Sequence, residues 1–359
     1  MKKITAQKRI WIAAEWLSDN DTQWWFFANM QKANQGDKQI SLVGNAKWYN
    51  ENDRKSLPGH MLYVFKTFCF AVRLTWVAKR NDIIFCWNQL PALIAATLLR
   101  LTFSKKKIVC QNFLFRNSGN RFADALRRSL YNFALKYKHL YLSLQNESLF
   151  DYYKDNCRLA LKREKTYFIG DCLPDDRVPP TAASAVIPEH KQYIFTGGEA
   201  NRNWKLVMTI AQRLPEFQFY CVARKRFFDQ QLNIPANVTM FWDTSLEQYF
   251  QLLLQCKVSF IPIKDPYNPA GLLLLFDSVL SGKAVLSSDT PFLSPYFGKY
   301  QERLVFSSAE DAVTKIKELY HAEDIAEVNA HLRKNIENQT PSAYCAQQLE
   351  KLYQLSEIN

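Results

Sequence analysis

A chain of 359 residues is longer than one ordinary domain and fits two domains of roughly 150 to 200 residues each. With 48% hydrophobic and 22% charged residues, its composition is that of a chain that folds, not one that stays disordered. The net charge of +12 is uneven: residues 1–170 carry 28 Lys and Arg against 12 Asp and Glu, whereas residues 171–359 carry 18 against 22. The basic half suits an anionic membrane, a polyanionic acceptor or nucleic acid, and charge alone does not choose among them.

The N-terminal sequence gives no indication of export. Lys2 and Lys3 are not followed by an apolar stretch of signal-peptide length, because Lys8, Arg9 and Glu15 interrupt it. The eight cysteines are scattered without a CxxC pair, and several lie in apolar runs typical of buried elements. This usage predicts reduced core cysteines and a cytoplasmic protein.

The first half of the chain alternates short apolar runs with patterns of helical period. Strands are predicted at 10–14, 39–43, 82–87, 107–113 and 139–143. Helices are predicted at 21–34, 61–79, 91–102, 120–136 and 145–154. Unbroken apolar strands that alternate with helices indicate a parallel sheet covered on both faces. Residues 1–171 are therefore predicted to form a doubly wound α/β domain.

Two stretches of this half bear on membrane contact. Residues 61–80 are apolar but contain Lys66 and Arg73, which are costly at a bilayer centre, so they are predicted to form an amphipathic helix. A second stretch interleaves cations with aromatic residues: Lys105, Lys106, Lys107, Arg116, Arg121, Arg127 and Arg128 with Phe103, Phe113, Phe115 and Phe122. This pattern suits a peripheral membrane face or a lipid-diphosphate site, although a charge run is more often a solvated face.

The second half repeats the architecture of the first. Residues 172–190 are rich in proline, alanine and serine and are predicted to be an interdomain linker. Strands are then predicted at 192–196, 217–222, 258–262 and 284–288, with helices at about 201–213, 245–255 and 271–281. Residues 191–340 are thus predicted to form a second doubly wound domain, and residues 341–359 a last helix that could pack on either domain. Two such domains facing a central cleft would bind ligands at the carboxyl ends of their strands.

The first motif, residues 193–205, runs from a strand through two glycines into a helix. Gly197 and Gly198 would let the backbone approach a ligand closely, and the amides at the start of the helix suit a diphosphate. Arg202 could add a bidentate contact to phosphate. The alternative is an ordinary strand-to-helix turn with a solvated arginine. Lys205, one turn further on, is a weaker candidate that could simply be a surface residue.

The second motif, residues 268–291, places a helix that begins at Gly271 after the strand at 258–262. The amides near Ala270, Gly271 and Leu272 could face a ligand. Asp277 could accept hydrogen bonds from a ribose, or it could be a carboxylate on the helix surface. Gly282 is a helix C-cap.

Together the two motifs resemble the C-terminal signature of the retaining glycosyltransferases of the group 1, or family 4, type, which have the GT-B fold. The matching residues are Gly197, Gly198, Asn201, Arg202, Asn203, Gly271, Leu274, Leu275, Asp277, Val279, Gly282, Lys283 and Val285. The match covers about residues 190–295, and the first half matches only in pattern. The sequence departs from the family at three positions. Glu199 follows Gly198 where most members have an arginine, and Asn203 lies near the position of a lysine. Pro269 lies where many members have the first of two glutamates.

The resemblance implies a hexosyltransferase that moves a sugar from a UDP- or GDP-sugar to a glycan or lipid-linked acceptor, with retention, in bacterial surface polysaccharide or lipopolysaccharide assembly. The donor would contact Gly197, Gly198, Arg202, Lys205, Ala270, Gly271, Leu272 and Asp277. Cations and helix amides would stabilise the leaving diphosphate, so Arg202 and Asp277 would carry the catalysis without a strong general base.

Acceptor and metal chemistry are less marked. Gln111 and Asn112, at the end of a strand in the first half, are candidate acceptor contacts, or else residues that cap the sheet. The five histidines show no metal-ligand spacing, and the resemblance implies an enzyme without metal or other cofactor. A GT-B protein without turnover that serves as a binding or scaffold subunit is one alternative, raised by the departures at Glu199, Asn203 and Pro269. A nucleic-acid-binding protein is another, but the chain lacks the known binding signatures.

Overall fold

The computed structural model describes residues 9–34, 38–50, 53, 56–116, 119–173, 192–198 and 201–357. The chain divides into two compact units. Unit 1 comprises Met1–Cys172 together with Thr340–Asn359, and unit 2 comprises Leu173–Gln339. Most of the linker predicted over 172–190, from residue 174 on, lies outside the described residues, and so does Glu199.

Unit 1 contains a six-stranded parallel sheet. Its strands are β1 (Arg9–Ala14), β2 (Gln39–Gly44), β3 (Ile83–Cys86), β4 (Lys107–Cys110), β5 (Leu140–Leu144) and β6 (Thr166–Phe168). Its first helices are α1 (Trp25–Ala33), α2 (Leu57–Val77), α3 (Gln89–Leu101), α4 (Arg121–Leu135) and α5 (Glu147–Asp151), the last followed by a π-helical turn over Tyr152–Asn156. The strand order is β2-β1-β3-β4-β5-β6. From β1 the chain first adds β2 on one side and then adds β3 to β6 on the other, so the switch point lies between β1 and β3.

The helices of unit 1 divide between the two faces of this sheet. Right-handed crossovers place α1 on one face and α2, α3, α4 and α5 on the other, because only the first connection runs toward the β2 edge. In agreement, α2 packs on α3 and α3 packs on α4. Among the described residues no helix is both long and apolar enough to cross a membrane.

Unit 2 contains a second six-stranded parallel sheet. Its strands are β7 (Ile194–Gly197), β8 (Phe219–Ala223), β9 (Val238–Trp242), β10 (Val258–Ile261), β11 (Ala284–Ser288) and β12 (Val305–Phe306). Its helices are α6 (Trp204–Arg213), α7 (Leu246–Gln255), α8 (Leu272–Leu280), α9 (Gln301–Leu304), α10 (Ala309–His321) and α11 (Ile325–Ile336). The order β12-β11-β10-β7-β8-β9 is that of the dinucleotide-binding Rossmann fold, with its switch point between β7 and β10.

The last helix, α12 (Pro341–Glu357), belongs to unit 1 and packs against α1. Leu349, Leu352 and Leu355 are buried in the core that also contains Phe26. Polar contacts fix the same helix, since Tyr167 Oη donates to Gln348 Oε1 at 3.1 Å and Lys107 Nζ donates to the carbonyl of Leu355 at 2.8 Å. The sequence left open which domain this helix packs on; the structure places it on unit 1.

The predicted α/β class with two doubly wound domains is confirmed. All nine strands and eight helices predicted before residue 300 form, most of them within a few residues of the predicted bounds. The strand predicted at 107–113 ends earlier, at Cys110, because Asn112 adopts a left-handed backbone with φ +45°. The sequence missed β6, β9 and β12.

Candidate functional site

The two glycine-containing motifs of unit 2 meet at the switch point of its sheet. Asn201, with φ +58°, lies in the loop after β7 and joins it to the loop after β10. Its Nδ2 donates to the carbonyls of Asp265 and Asn268, both at 2.8 Å, and its Oδ1 accepts from the amide of Asp265 at 3.0 Å. The amide of Asn203 adds a bond to the carbonyl of Pro262 at 3.0 Å. One asparagine thus holds both motifs at the edge where ligands of such sheets bind.

Arg202 lies beneath this loop and is almost fully buried, with a relative exposure of 8%. Its Nε donates to the carbonyl of Gly197 at 2.8 Å, whereas its Nη1 is buried without a hydrogen-bond partner in the described structure. Burial lowers the pKa of Arg202 to about 10, an effect that nearby Tyr249 partly offsets. Within the described residues no carboxylate forms a salt bridge with this guanidinium. A buried, charged donor without an anion is costly unless a ligand supplies the anion.

Gly198 makes room for this arginine. Its φ of +140° lies in the range that favours glycine, and a Cβ at this position would lie 2.6 Å from Nη2 of Arg202. A Cβ at Gly197 would meet the ring of Tyr249 at 3.1 Å. The two glycines therefore allow the guanidinium and the tyrosine ring to lie directly against the backbone.

Gly271 starts the second part of the site. It has φ +95°, and a Cβ would lie 2.8 Å from Cγ2 of Ile261. Helix α8 begins at Leu272, and no side chain caps its first amides. Ala270 precedes it in a half-buried position. The first amides of α8 are thus available to an anion at this edge of the sheet.

A cavity of about 340 Å³ opens beside the Gly197–Gly198 turn. It is lined by Gly198, Val222, Ala223, Arg224, Thr244, Ser245, Leu246 and Tyr249. Val222 and Ala223 end β8, and the others follow β7, β8 or β9 or lie at the start of α7. Apolar walls with a few hydroxyls and one cation are typical of a site for a flat, partly polar molecule.

Asp277 is fully buried in the middle of α8. The alternative in which it is a surface carboxylate is therefore wrong. Its Oδ2 accepts from Tyr249 Oη at 2.9 Å, and the tyrosine ring packs edge-on against Phe195 with centroids 5.5 Å apart. Tyr249 thus lies between this carboxylate and the cavity. The contact of Asp277 with a ribose stays a prediction, and it requires Tyr249 to move.

The remaining donor candidates occupy plainer positions. Lys205 is exposed on the first turn of α6. Asn203 is the N-cap of α6, and its side chain accepts from the amide of Leu206 at 3.1 Å. Leu272 is buried at the start of α8. Of all candidates in unit 2, the structure brings Gly197, Gly198, Arg202 and the start of α8 together most directly.

The acceptor candidates of unit 1 make internal contacts. Gln111 is buried, and its Nε2 donates to Tyr344 Oη of α12. Asn112 Nδ2 donates to Asp171 Oδ1 at 3.3 Å. Burial raises the pKa of Asp171, although hydrogen bonds from Asn112 and Gln145 act in the opposite direction. Both candidates therefore help to fix the carboxyl edge of the sheet of unit 1, whatever else they bind.

Four tryptophans lie together at the switch point of unit 1, and the sequence did not predict this cluster. Trp16 follows β1, Trp87 follows β3, and Trp24 and Trp25 precede or begin α1. Ring centroids of Trp24 and Trp87 lie 4.9 Å apart and those of Trp16 and Trp24 lie 5.9 Å apart. All four are half-buried. Their placement directly after two neighbouring strands was the available signal, but each alone reads as a core residue.

Metal ligation has no evident place in the described ranges. Among those residues no group of three or more His, Cys, Asp or Glu side chains is arranged to hold a metal ion. The eight cysteines form no disulfide, and all but the half-buried Cys69 are buried.

Solved structures similar to this chain share one architecture. An α,α-trehalose-phosphate synthase (UDP-forming) from Burkholderia vietnamiensis has 10% identity and a TM-score of 0.67, with 98% of each chain covered. A trehalose-6-phosphate protein of E. coli bound with UDP-2-fluoro glucose has 11% identity and a TM-score of 0.67, covering 98% of this chain and 100% of the other. HepE of Anabaena, in complex with UDP-glucose, has 10% identity and a TM-score of 0.63, covering 96% and 99%.

No protein-family model matches the chain, and no curated protein matches it. At these low identities the likeness shows the fold alone. The chain has the GT-B fold of two Rossmann-like units.

Proposed function

We propose that this chain is a glycosyltransferase that takes a sugar from a nucleotide-sugar donor bound at the switch point of unit 2. The observation that carries the proposal is Arg202, a buried guanidinium with an unsatisfied Nη1 beneath a glycine turn. A diphosphate is the ligand that would complete its hydrogen bonds and neutralise its charge. The GT-B fold, and two similar structures that hold UDP-2-fluoro glucose and UDP-glucose, support the choice of a UDP-sugar over a GDP-sugar.

The diphosphate would lie between the Gly197–Gly198 turn, Arg202 and the first amides of α8. When the bond from the sugar to the diphosphate breaks, negative charge grows on the leaving oxygen. Arg202 and the amides are fixed in place by burial and by the hydrogen bonds of Asn201, so they stabilise that charge without reorganising. This mechanism needs no resident metal, and we infer a metal-independent enzyme of the retaining family 4 type.

The nucleoside would occupy the cavity beside the turn. Its apolar walls suit the faces of a base, while Thr244 and Ser245 offer hydroxyls to the polar edges or the ribose. Tyr249, oriented by its bond to Asp277, would form one wall. In this arrangement Asp277 contributes by positioning Tyr249, and its direct contact with the ribose is secondary.

The acceptor would bind to unit 1, where the four tryptophans lie at the other switch point. Tryptophan offers a large apolar face with a polar edge, which suits the apolar faces of a sugar ring. We infer a glycan or lipid-linked acceptor of bacterial surface polysaccharide or lipopolysaccharide assembly, at the inner face of the cytoplasmic membrane. The basic charge of unit 1 and its reduced cysteines support this location.

Titration calorimetry with UDP and GDP tests the donor site directly. Wild-type chain and Lys205→Ala should bind alike, whereas Arg202→Ala should lose roughly 1.5 to 3 kcal/mol, about tenfold to a hundredfold in affinity. Arg202→Lys, which keeps the charge, should be intermediate, and circular dichroism should show that each variant folds. Equal binding by Arg202→Ala and wild type would move the donor site elsewhere.

Donor hydrolysis separates an enzyme from a binding subunit. Asn203 caps α6 near the place where the glycosyltransferases that this sequence resembles have a lysine. The proposed donor site therefore has one cation fewer than theirs. An active transferase should release UDP slowly from a UDP-sugar even without acceptor. Tight binding of UDP without release from any UDP- or GDP-sugar would favour the scaffold alternative.

A further inference from the structure

Exposed apolar residues are concentrated on one helix layer of unit 1. In the described part of the chain, eighteen large hydrophobic residues are exposed, and fourteen of them lie on α2, on α4 or at the end of α3. They are Leu57, Met61, Leu62, Val64, Phe65, Phe68, Val72 and Trp76, then Leu101 and Phe103, then Phe122, Leu126, Leu130 and Phe133. Soluble surfaces rarely gather so many in one place without a binding role.

These residues form two stripes rather than a scatter. On α2, Leu57, Met61, Phe65, Phe68, Val72 and Trp76 recur at intervals of three or four. On α4, Phe122, Leu126, Leu130 and Phe133 do the same. Residues at this spacing share one helix face, so each stripe is a continuous outward ridge. Both helices flank α3 on the same face of the sheet.

Helix α4 exposes a stripe of large apolar residues that an ordinary amphipathic helix would bury. Its apolar stripe faces outward, while Asp124 is buried and Arg127 and Arg128 are half-buried. Nε of Arg128 is buried without a partner in the described structure. A helix packed only for stability would place its apolar residues against the sheet. This orientation has a cost in the isolated chain that a bound apolar medium would offset.

Phe103 gives a second, independent sign at the end of the layer. It adopts φ +51°, a left-handed conformation that favours glycine or asparagine after a helix, yet the residue is 93% exposed. A strained, exposed phenylalanine does not improve the fold, and such outliers are typical of binding sites.

Positive charge surrounds the same layer. Between residues 56 and 139 the sequence has fourteen Lys and Arg against two Asp and no Glu. A cavity of about 600 Å³ next to Phe103 is lined by Arg100, Lys105, Lys136 and Lys138, and the three lysines have no salt-bridge partner in the described chain. Burial lowers the pKa of His139 in this cavity, and the surrounding lysines lower it further.

We propose that the outer face of α2, α3 and α4 is a membrane-docking surface for a bilayer that contains anionic lipids. The two stripes lie in the headgroup boundary, Leu101 and Phe103 insert, and Lys105, Lys136 and Lys138 contact lipid phosphates. The proposal does not rest on glycosyl transfer, because vesicle binding needs neither donor nor turnover.

The combination of features favours a bilayer over other partners. A nucleic acid would use the cations but would not cover two aliphatic ridges. A second copy of the chain would cover the ridges but would bring two strongly basic faces together. An anionic bilayer satisfies the ridges and the charge at once.

Co-sedimentation of the full chain with vesicles tests the surface. We expect binding to phosphatidylcholine vesicles with added phosphatidylglycerol, little binding to pure phosphatidylcholine, and partial release at high salt. Lys105→Glu with Lys138→Glu should weaken binding at least tenfold, since each cation near a charged surface contributes about 1 kcal/mol. Leu126→Ser with Leu130→Ser should reduce the binding that remains at high salt. The controls in unit 2, Lys334→Glu and the exposed Ile234→Ser, should bind like wild type.

Phe103→Gly gives the sharpest outcome, because relief of the strained φ should raise the melting temperature while vesicle binding falls. A structural role for Phe103 would lower both. Equal sedimentation with neutral and anionic vesicles, or wild-type binding by all three surface variants, would overturn the proposal. Two further results would overturn it. One is a dimer, detected by light scattering, that dissociates in the Leu126→Ser, Leu130→Ser variant while vesicle binding stays unchanged. The other is that the chain binds random-sequence DNA in preference to vesicles.

Discussion

Gly198 and Arg202 depend on each other more closely than their spacing of four residues suggests. The guanidinium lies where a side chain at position 198 would be, so the glycine is needed for the arginine as much as for the turn. The bond from Nε to the carbonyl of Gly197 then fixes the direction of the group and leaves Nη1 for a ligand. A charged donor fixed in this way binds an anion with little loss of side-chain entropy.

Gly198→Ala should therefore displace Arg202 and weaken UDP binding by about tenfold or more, close to the effect of Arg202→Ala. Gly282→Ala is the matched control, because Gly282 also has a positive φ, +70°, but no atom lies within 4 Å of its Cβ position. Gly282→Ala should lose roughly 1 kcal/mol of stability from backbone strain alone, and Gly198→Ala should lose more, because its Cβ also meets Arg202. Calorimetry on the two variants separates strain from displacement, and similar UDP affinities would contradict the proposed link.

Tyr249→Phe should test the second buried contact of the site. It removes the hydrogen bond to Asp277 but keeps the ring, and taking this donor away from an oxygen of the fully buried Asp277 should cost about 1 to 3 kcal/mol. Tyr193→Phe, which loses a bond from Tyr193 Oη to the carbonyl of Leu252, should cost less, about 1 kcal/mol. Urea unfolding measures both, and an equal or smaller loss for Tyr249→Phe would show that its hydroxyl does not stabilise Asp277.

Residues of the candidate site could be predicted from the sequence where the pattern that marks them is contiguous in the chain. Gly197, Gly198, Arg202 and Gly271 stand out because a strand, glycines and a helix start follow one another in the chain. Tyr249 did not stand out, and Asn201 stood out only as part of the family signature and not for its contacts, since their partners lie 28 and 64 or more residues away. The burial of Asp277 was equally hidden, because helical spacing alone does not fix which side faces the sheet.

Elements of secondary structure were predictable according to their place in the sheet. The strands that the sequence missed, β6, β9 and β12, are all short or half-exposed strands at or near a sheet edge. Edge strands are covered less and need no unbroken apolar run, so their pattern is weak. Helix α12 is the opposite case, because its helical period is clear in the sequence. Its apolar face, however, does not indicate which of the two units it packs against.

Leu352→Ala should show how strongly unit 1 depends on α12. Leu352 is fully buried between α12 and the sheet, and a large-to-small change in such a core costs about 2 to 5 kcal/mol. Leu130→Ala, on the exposed stripe of α4, should change stability by no more than about 0.5 kcal/mol. Urea unfolding followed by circular dichroism measures both, and a small loss for Leu352→Ala would mean that unit 1 is stable without this helix.

The whole molecule separates its charge and its proposed chemistry between two units. Residues 56–139 of unit 1 carry a net charge equal to that of the whole chain, while the second half of the sequence is mildly acidic. The proposed donor site nonetheless attracts an anion, because Arg202 and helix amides act over a few ångströms whereas net charge acts at long range. Composition therefore indicated the unit that is proposed to contact a membrane, and only motifs indicated the unit that is proposed to bind the donor.

A nucleoside diphosphate should stabilise unit 2 without any metal ion. Each unit has its own core, so thermal unfolding need not be two-state, and a ligand stabilises the unit that binds it by about 2.7 kcal/mol at one hundred times its dissociation constant. Calorimetric scans with UDP in the presence of EDTA should shift one transition upward. In Arg202→Ala that shift should largely disappear, while Leu352→Ala should lower the other transition and leave the UDP shift intact. A shift that appears only after magnesium or manganese is added would show that the donor site needs a metal, because Arg202 and the amides of α8 would then be too weak to hold the diphosphate alone.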